Sequence, residues 1–164
     1  DYGQSGAYFV TICTQSRQPY FGTVVEPGHD CSAAFVRPTA LEQRVALGWA
    51  TIPQFAPFAS LNAFILMPDH IHGVLFFDKP QSASPQLTTN QFGPQRQNRA
   101  SVVRGFKSGV TTYTRIRGLA FQWQARFHDR IVRSEQELER IRNYIVTNPS
   151  RWAMERENAE GLYW

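Results

Sequence analysis

Cysteine is nearly absent from this chain: there are two, Cys13 and Cys31. Two residues so placed exclude a disulfide framework and any paired-thiolate zinc spacing. Cys13 lies in an apolar run and reads as a buried free thiol, which fits a reducing compartment. Long apolar runs are also missing. None approaches the roughly 18 residues that a membrane span needs. Residues Asp1 to Gly6 lack the basic-then-apolar pattern of a secretory leader. A cytoplasmic location is the expectation. The chain does not begin with Met and its first strand-like run starts almost at once, so some native N-terminus is expected to precede it. Charged residues make up 18% against 42% hydrophobic, an ordinary globular balance, and 164 residues suit one domain over 1–164. No internal repeat is visible.

The scarcity that says most is of acid in the C-terminal half. From Arg99 to Arg151 eleven cations face four acids, an excess of +7 in a chain whose net charge is +4. The remainder is therefore net acidic. A half of that kind suits a polyanion such as a phosphate backbone.

What is present reads as alternating strands and helices. Ala7 to Thr14 is β-branched and aromatic, which predicts a strand, and Tyr20 to Val25 adds a short extended piece. Pro38 to Ala50 has helical spacing at Leu41, Val45 and Leu47 to Trp49, with proline near its start. The apolar runs Leu61 to Met67 and Ile71 to Phe77, separated by Pro68-Asp69, predict an antiparallel pair. The stretch 79–98 is rich in Gln, Ser, Thr, Asn and Pro and reads as a mobile linker. Ser101 to Arg117 returns to helical spacing and ends at Gly118, and Phe121 to Val132 is expected to be extended. Ser134 with Glu137 makes a capping box for a last helix, which Asn148-Pro149 is expected to stop, leaving a short tail. The pattern predicts an α+β fold: an antiparallel sheet with helices packed on one face.

Two features carry candidate chemistry. His70 and His72 are two apart on a strand, so they project to one face, roughly 6–7 Å apart at the backbone. Ile71 turns the other way. Two imidazoles side by side make half a metal site, or are two ordinary histidines at a strand start. Tyr144 and Asn148 stand i and i+4 on a helix and share a face. They supply a hydroxyl and an amide oxygen, or are a core residue and a helix cap. Combined, the features make a coherent site. A tyrosine hydroxyl is a weak nucleophile, and a divalent cation beside it can polarise a scissile phosphate.

Five motifs then resemble one family in its own order: Tyr8-Phe9-Val10-Thr11, Met67 to His72, Phe106-Lys107-Ser108, Trp123 to Arg133, and Tyr144 to Pro149. The resemblance, from Tyr8 to about Trp152, is to the HUH single-tyrosine transposases, and within them to the REP-associated tyrosine transposases. It implies a ferredoxin-like sheet and cleavage of single-stranded DNA beside a hairpin through a 5′-phosphotyrosine intermediate, with Mg²⁺ or Mn²⁺. It implies His70, His72 and Asn148 as metal ligands and Tyr144 as nucleophile. One departure is Arg130, where related sequences often place His.

Around the site, Arg104 and Lys107 are candidate phosphate contacts, as is Arg126, and Trp123 is a candidate base-stacking surface or a core residue. Asp69 orients a histidine or, the favoured reading, serves the turn. Single-stranded or hairpin DNA is the expected partner, with bacterial nucleoid association when bound, no membrane and no obligate protein partner. Competing readings are a non-catalytic nucleic-acid-binding module on a similar sheet, and a hydrolase that activates water with Tyr144 only structural.

Overall fold

A computed structural model of the chain describes residues 5–28, 33–78 and 98–157, the side chains of 155–157 excepted. Cys31 and nearly all of the expected linker at 79–98 lie outside the described residues. The elements run β1 (Gly6–Cys13), β2 (Gly22–Val25), β3 (Phe35–Pro38), α1 (Ala40–Ala50), α2 (Ile52–Phe55), β4 (Ala59–Met67), β5 (His70–Phe77), α3 (Arg99–Ile116), β6 (His128–Val132) and α4 (Glu135–Glu157). The main sheet has the order β4-β5-β1-β6, antiparallel throughout. Setting aside the small β2-β3 pair, this is the ferredoxin-like arrangement, so the expected α+β class and sheet hold.

The placement of helices needs a correction. Along β1, Tyr8, Val10 and Ile12 join Ile71, Leu75 and Phe77 of β5 in one core, which α1 and α3 close with Val45, Trp49, Val103 and Phe106. The intervening residues Phe9 and Val74 face the other way and meet Leu138, Ile141 and Ile145 of α4. Helices therefore cover both faces. The reason is alternation: both β1 and β5 carry apolar side chains on their even and odd positions, so neither face can be left to water. Each fully buried aliphatic chain contributes about 1.5–3 kcal/mol relative to exposure.

Local chemistry sets the helix ends. Thr39 caps α1 by accepting from the Glu42 N–H. Asn98 and Ser101 cap α3 reciprocally. At α4, Ser134 Oγ accepts from the Glu137 N–H as expected, while the Glu137 carboxylate reaches one residue further back than a capping box requires and accepts from the Arg133 N–H. The expected stop at Pro149 is not observed. The helix runs through it to Glu157. Proline there removes one helical hydrogen bond and disfavours the helix, but Ala153 beyond it is fully buried and Trp152 packs on His70. Tertiary packing overrides the local signal. Gly73 is required by a close approach: a Cβ there would lie 2.3 Å from the Trp49 ring.

Candidate active site

Strand register assembles the site. His70 pairs across the sheet with Cys13 on β1 and Met67 on β4, and His72 with Thr11 and Ile65. Both histidines point to the α4 face, away from the larger core. Only 5% of His70 and 7% of His72 is exposed, so the geometry of each imidazole depends on protein partners rather than solvent. The His70 Nδ1 meets the Asp69 carboxylate at 2.6 Å, where the ring N–H donates and the carboxylate accepts. The His72 Nδ1 lies 2.9 Å from the Thr11 hydroxyl. With both Nδ1 atoms engaged, the two Nε2 atoms converge at 3.1 Å. Phe9 stacks on the His72 ring at 5.2 Å and fixes its plane.

Helix α4 delivers the rest. The Tyr144 hydroxyl is 3.5 Å from His72 Nε2, and its ring meets the His72 ring edge-on. Trp152, two turns later, packs against the His70 ring at 5.6 Å. Asn148 stands midway between these two contacts on the same helix face and is buried. The Arg151 guanidinium lies 5.4 Å from the Tyr144 ring centre. The four residues expected to share a site, His70, His72, Tyr144 and Asn148, thus come together on one face.

Electrostatics keeps both rings neutral. Burial pushes the His72 imidazole down to about 3, helped by the neighbouring His70 and by Arg17. Burial also lowers His70, and Asp69 opposes that shift. Neutral imidazoles have lone pairs to offer. A pair of ligands at right angles, each about 2.1 Å from an Mg²⁺-sized ion, stands about 3.0 Å apart. The Nε2 separation fits that arrangement, and the Asn148 oxygen is the type of hard ligand such an ion accepts. Among the described residues no group of three or more His, Cys, Asp or Glu side chains is placed to hold a metal.

The other candidates lie elsewhere. Arg104 and Lys107 are on α3, which covers the opposite face of the sheet. The Lys107 ammonium donates to the backbone carbonyls of Gln124 and Ala125, and burial lowers its pKa. Trp123 is a core residue, 7% exposed, whose indole N–H donates to the Lys107 carbonyl. Arg126 is exposed on the segment before β6. Asp69 does more than shape the turn. Its backbone carbonyl accepts from Thr14 while its carboxylate holds His70 and Arg17. Cys13 is buried and free, as expected.

Sequence reading missed Thr11, Arg17, Arg151 and Trp152. Thr11 is separated from His72 by 61 positions, and only strand register joins them. Trp152 and Arg151 were hidden by the expected helix stop. Period-two alternation brings Phe9 and Thr11 to one face of β1, but it does not say which strand lies alongside.

Comparison with known proteins gives three findings. No protein-family profile matches the chain. An uncharacterized protein of Haemophilus influenzae is 32% identical over 160 residues, covering 93% of this chain and 84% of its own length. The chain belongs to that protein's family. Its fold is shared with a solved structure of a REP-associated tyrosine transposase bound to a REP hairpin: TM-score 0.59, 19% identity, covering 100% of this chain and 86% of the other. The ferredoxin-like architecture that the motif resemblance implies is the fold shared with that solved structure.

Proposed function

We propose that the chain is a transposase-like, metal-dependent endonuclease and strand transferase acting on single-stranded DNA near hairpins. The observation that supports it most is the convergence of two neutral histidine Nε2 atoms 3.1 Å apart with the Tyr144 hydroxyl 3.5 Å from one of them. His70, His72 and Asn148 would hold Mg²⁺ or Mn²⁺. Bound there, the ion would act as a Lewis acid toward a phosphate oxygen.

The remaining chemistry belongs to the chain. Tyr144 Oη forms a bond to phosphorus, the bond from phosphorus to the 3′-oxygen breaks, the phenol proton passes to water, and the departing oxygen takes one up. The products are a 5′-phosphotyrosine and a free 3′-hydroxyl. One phosphodiester is exchanged for another, so the strand can be rejoined by the reverse step. Phe9 and Trp152 fix the planes of the two imidazoles from opposite sides of the pair. Arg151 places a positive charge beside Tyr144 where phosphate negative charge would arrive. The basic C-terminal half supplies long-range attraction for the strand. A location in the bacterial cytoplasm, at the nucleoid when bound to DNA, goes with this reading.

The test is incubation with labelled single-stranded hairpin DNA and Mg²⁺ or Mn²⁺. The expected product is a protein–DNA adduct that survives denaturation and disappears in Tyr144→Phe and His70→Ala. An adduct that persists in Tyr144→Phe would reassign the nucleophile. DNA binding indifferent to chelators, with no cleavage across a hairpin library, would favour a non-catalytic binding module.

A further inference from the structure

The histidine pair is held from behind by a chain of side chains, of which Arg17 and Cys13 lie outside every motif that carries the resemblance. Asp69 is 5% exposed and its carboxylate has two partners. One oxygen accepts from His70 Nδ1 at 2.6 Å, and the other accepts from Arg17 Nε at 3.0 Å. Arg17 is itself fixed twice, because its Nη1 donates to Cys13 Sγ at 2.9 Å. Cys13 is the cross-strand partner of His70, so the circuit closes on the strand pair that carries the ligand.

The backbone around Arg17 is unusual in the same place. Ser16 and Arg17 both adopt left-handed conformations, at φ 51° and 55°, although neither is glycine. Side chains rarely accept that region, and such conformations persist where surrounding structure over-determines them. The tight 3-10 turn of Gln15–Arg17 returns the chain so that the guanidinium lies over the Asp69 carboxylate. Thr14 braces the other half by donating its hydroxyl and backbone N–H to the Asp69 carbonyl.

We propose that Arg17, acting through Asp69, is a positioning residue that fixes His70 as the Nδ1–H tautomer with Nε2 bare and aimed at the ligand site. A carboxylate accepting at Nδ1 leaves the ring proton there and the lone pair on Nε2. An unanchored carboxylate can rotate about its Cβ–Cγ bond, and the ring then samples both tautomers. Arg17 removes that freedom by engaging the second oxygen. Arginine suits the task because its planar fork reaches carboxylate and sulfur together, which an ammonium does not. The inference rests on the proposed reading for the identity of the ligand, a divalent ion, but the tautomer itself is a property of the metal-free chain.

The experiment therefore has two arms on the full chain. Histidine-selective ¹H–¹⁵N NMR at pH 8 without metal reads the tautomer. Wild type is expected to show His70 as a single Nδ1–H form, Arg17→Ala and Asp69→Asn as mixtures, and Arg17→Lys as intermediate. Titration calorimetry with Mn²⁺ is expected to show affinity reduced about 10-fold in Arg17→Ala and 10–100-fold in Asp69→Asn, the range for losing an outer partner of a metal-bound histidine. If Arg17→Ala does not fold, Arg17→Lys and Arg17→Gln carry both arms. A wild-type His70 protonated at Nε2, or a folded Arg17 variant with unchanged tautomer and unchanged Mn²⁺ affinity, overturns the proposal. If wild type binds no Mn²⁺, the metal reading of the site fails, and the NMR arm still decides the positioning role.

Discussion

The two faces of the sheet are made by alternate residues of the same strands, yet they are built to opposite ends. The face under α1 and α3 is aromatic and aliphatic, with Trp49 packed on Phe64 and Phe106 and lying on Gly73. The face under α4 spends part of its area on His70, His72, Thr11 and Asn148, and keeps a smaller apolar cluster around Val74 and Ile145. Burying polar groups, even hydrogen-bonded ones, stabilises less than burying apolar ones, so a protein that concentrates them on one face draws more of its stability from the other. The division teaches that chemistry and stability are separable here by residue parity. Damage on one face should be read in a different assay from damage on the other.

The strongest way to break that comparison is at the polar face. Tyr144→Phe should abolish the covalent DNA adduct, and His72→Ala should slow its formation at least about 100-fold, the scale of losing one preorganised electrostatic group. Both should remain folded, seen as cooperative urea transitions. Variants that unfold instead would dissolve the division. On the apolar face, Leu75→Ala should cost about 2–5 kcal/mol, measured by urea denaturation, because the side chain is fully buried among well-packed neighbours. The adduct rate per folded molecule should stay near wild type.

Gly73→Ala sharpens the same contrast at a single residue between the faces. The new methyl meets the buried Trp49 ring, and a loss of about 1–3 kcal/mol is expected by the same measurement. Wild-type stability there would mean that Trp49 can shift freely. Acid should act on the polar face through its buried imidazoles. The unfolded chain's imidazoles take up protons near pH 6.5, whereas His72 in the fold resists until about 3. Between those values the unfolded state binds more protons. Stability is therefore complete above pH 6.5 and falls as the pH drops through that window. Urea midpoints from pH 7.5 to 5 check this, and His72→Gln should flatten part of the fall. The smallest effect belongs to Lys107→Met, which loses its bonds to two backbone carbonyls at a cost of about 1 kcal/mol. A fall in single-stranded DNA affinity in that variant, measured by fluorescence anisotropy, would add a phosphate contact to its structural role.

Legibility followed distance along the chain. His70 and His72 could be placed on one face because strand alternation is local, and Tyr144 with Asn148 because helix periodicity is local. The α+β order was readable from the apolar runs for the same reason. Thr11 and Arg17 were not, since their contacts cross from β1 and the following turn to residues near 70, and a sequence carries no register. Local rules also failed at Pro149, where the burial of Ala153 outweighs the lost hydrogen bond. The second helical layer was missed because an apolar residue on a strand does not declare which face will be covered by which helix.

Gly73 and the two histidines have one more consequence, for changes of length rather than of composition. Every assignment of side to side chain on β5 depends on parity. Inserting or deleting a single residue between Pro68 and Gly73 would shift one part of the strand against β1 and turn the imidazoles toward α1 while presenting Ile71 to α4. No substitution elsewhere restores that exchange. The stretch is thus held rigid in count as well as in its residues, and a natural relative that differs in length there should have lost the site.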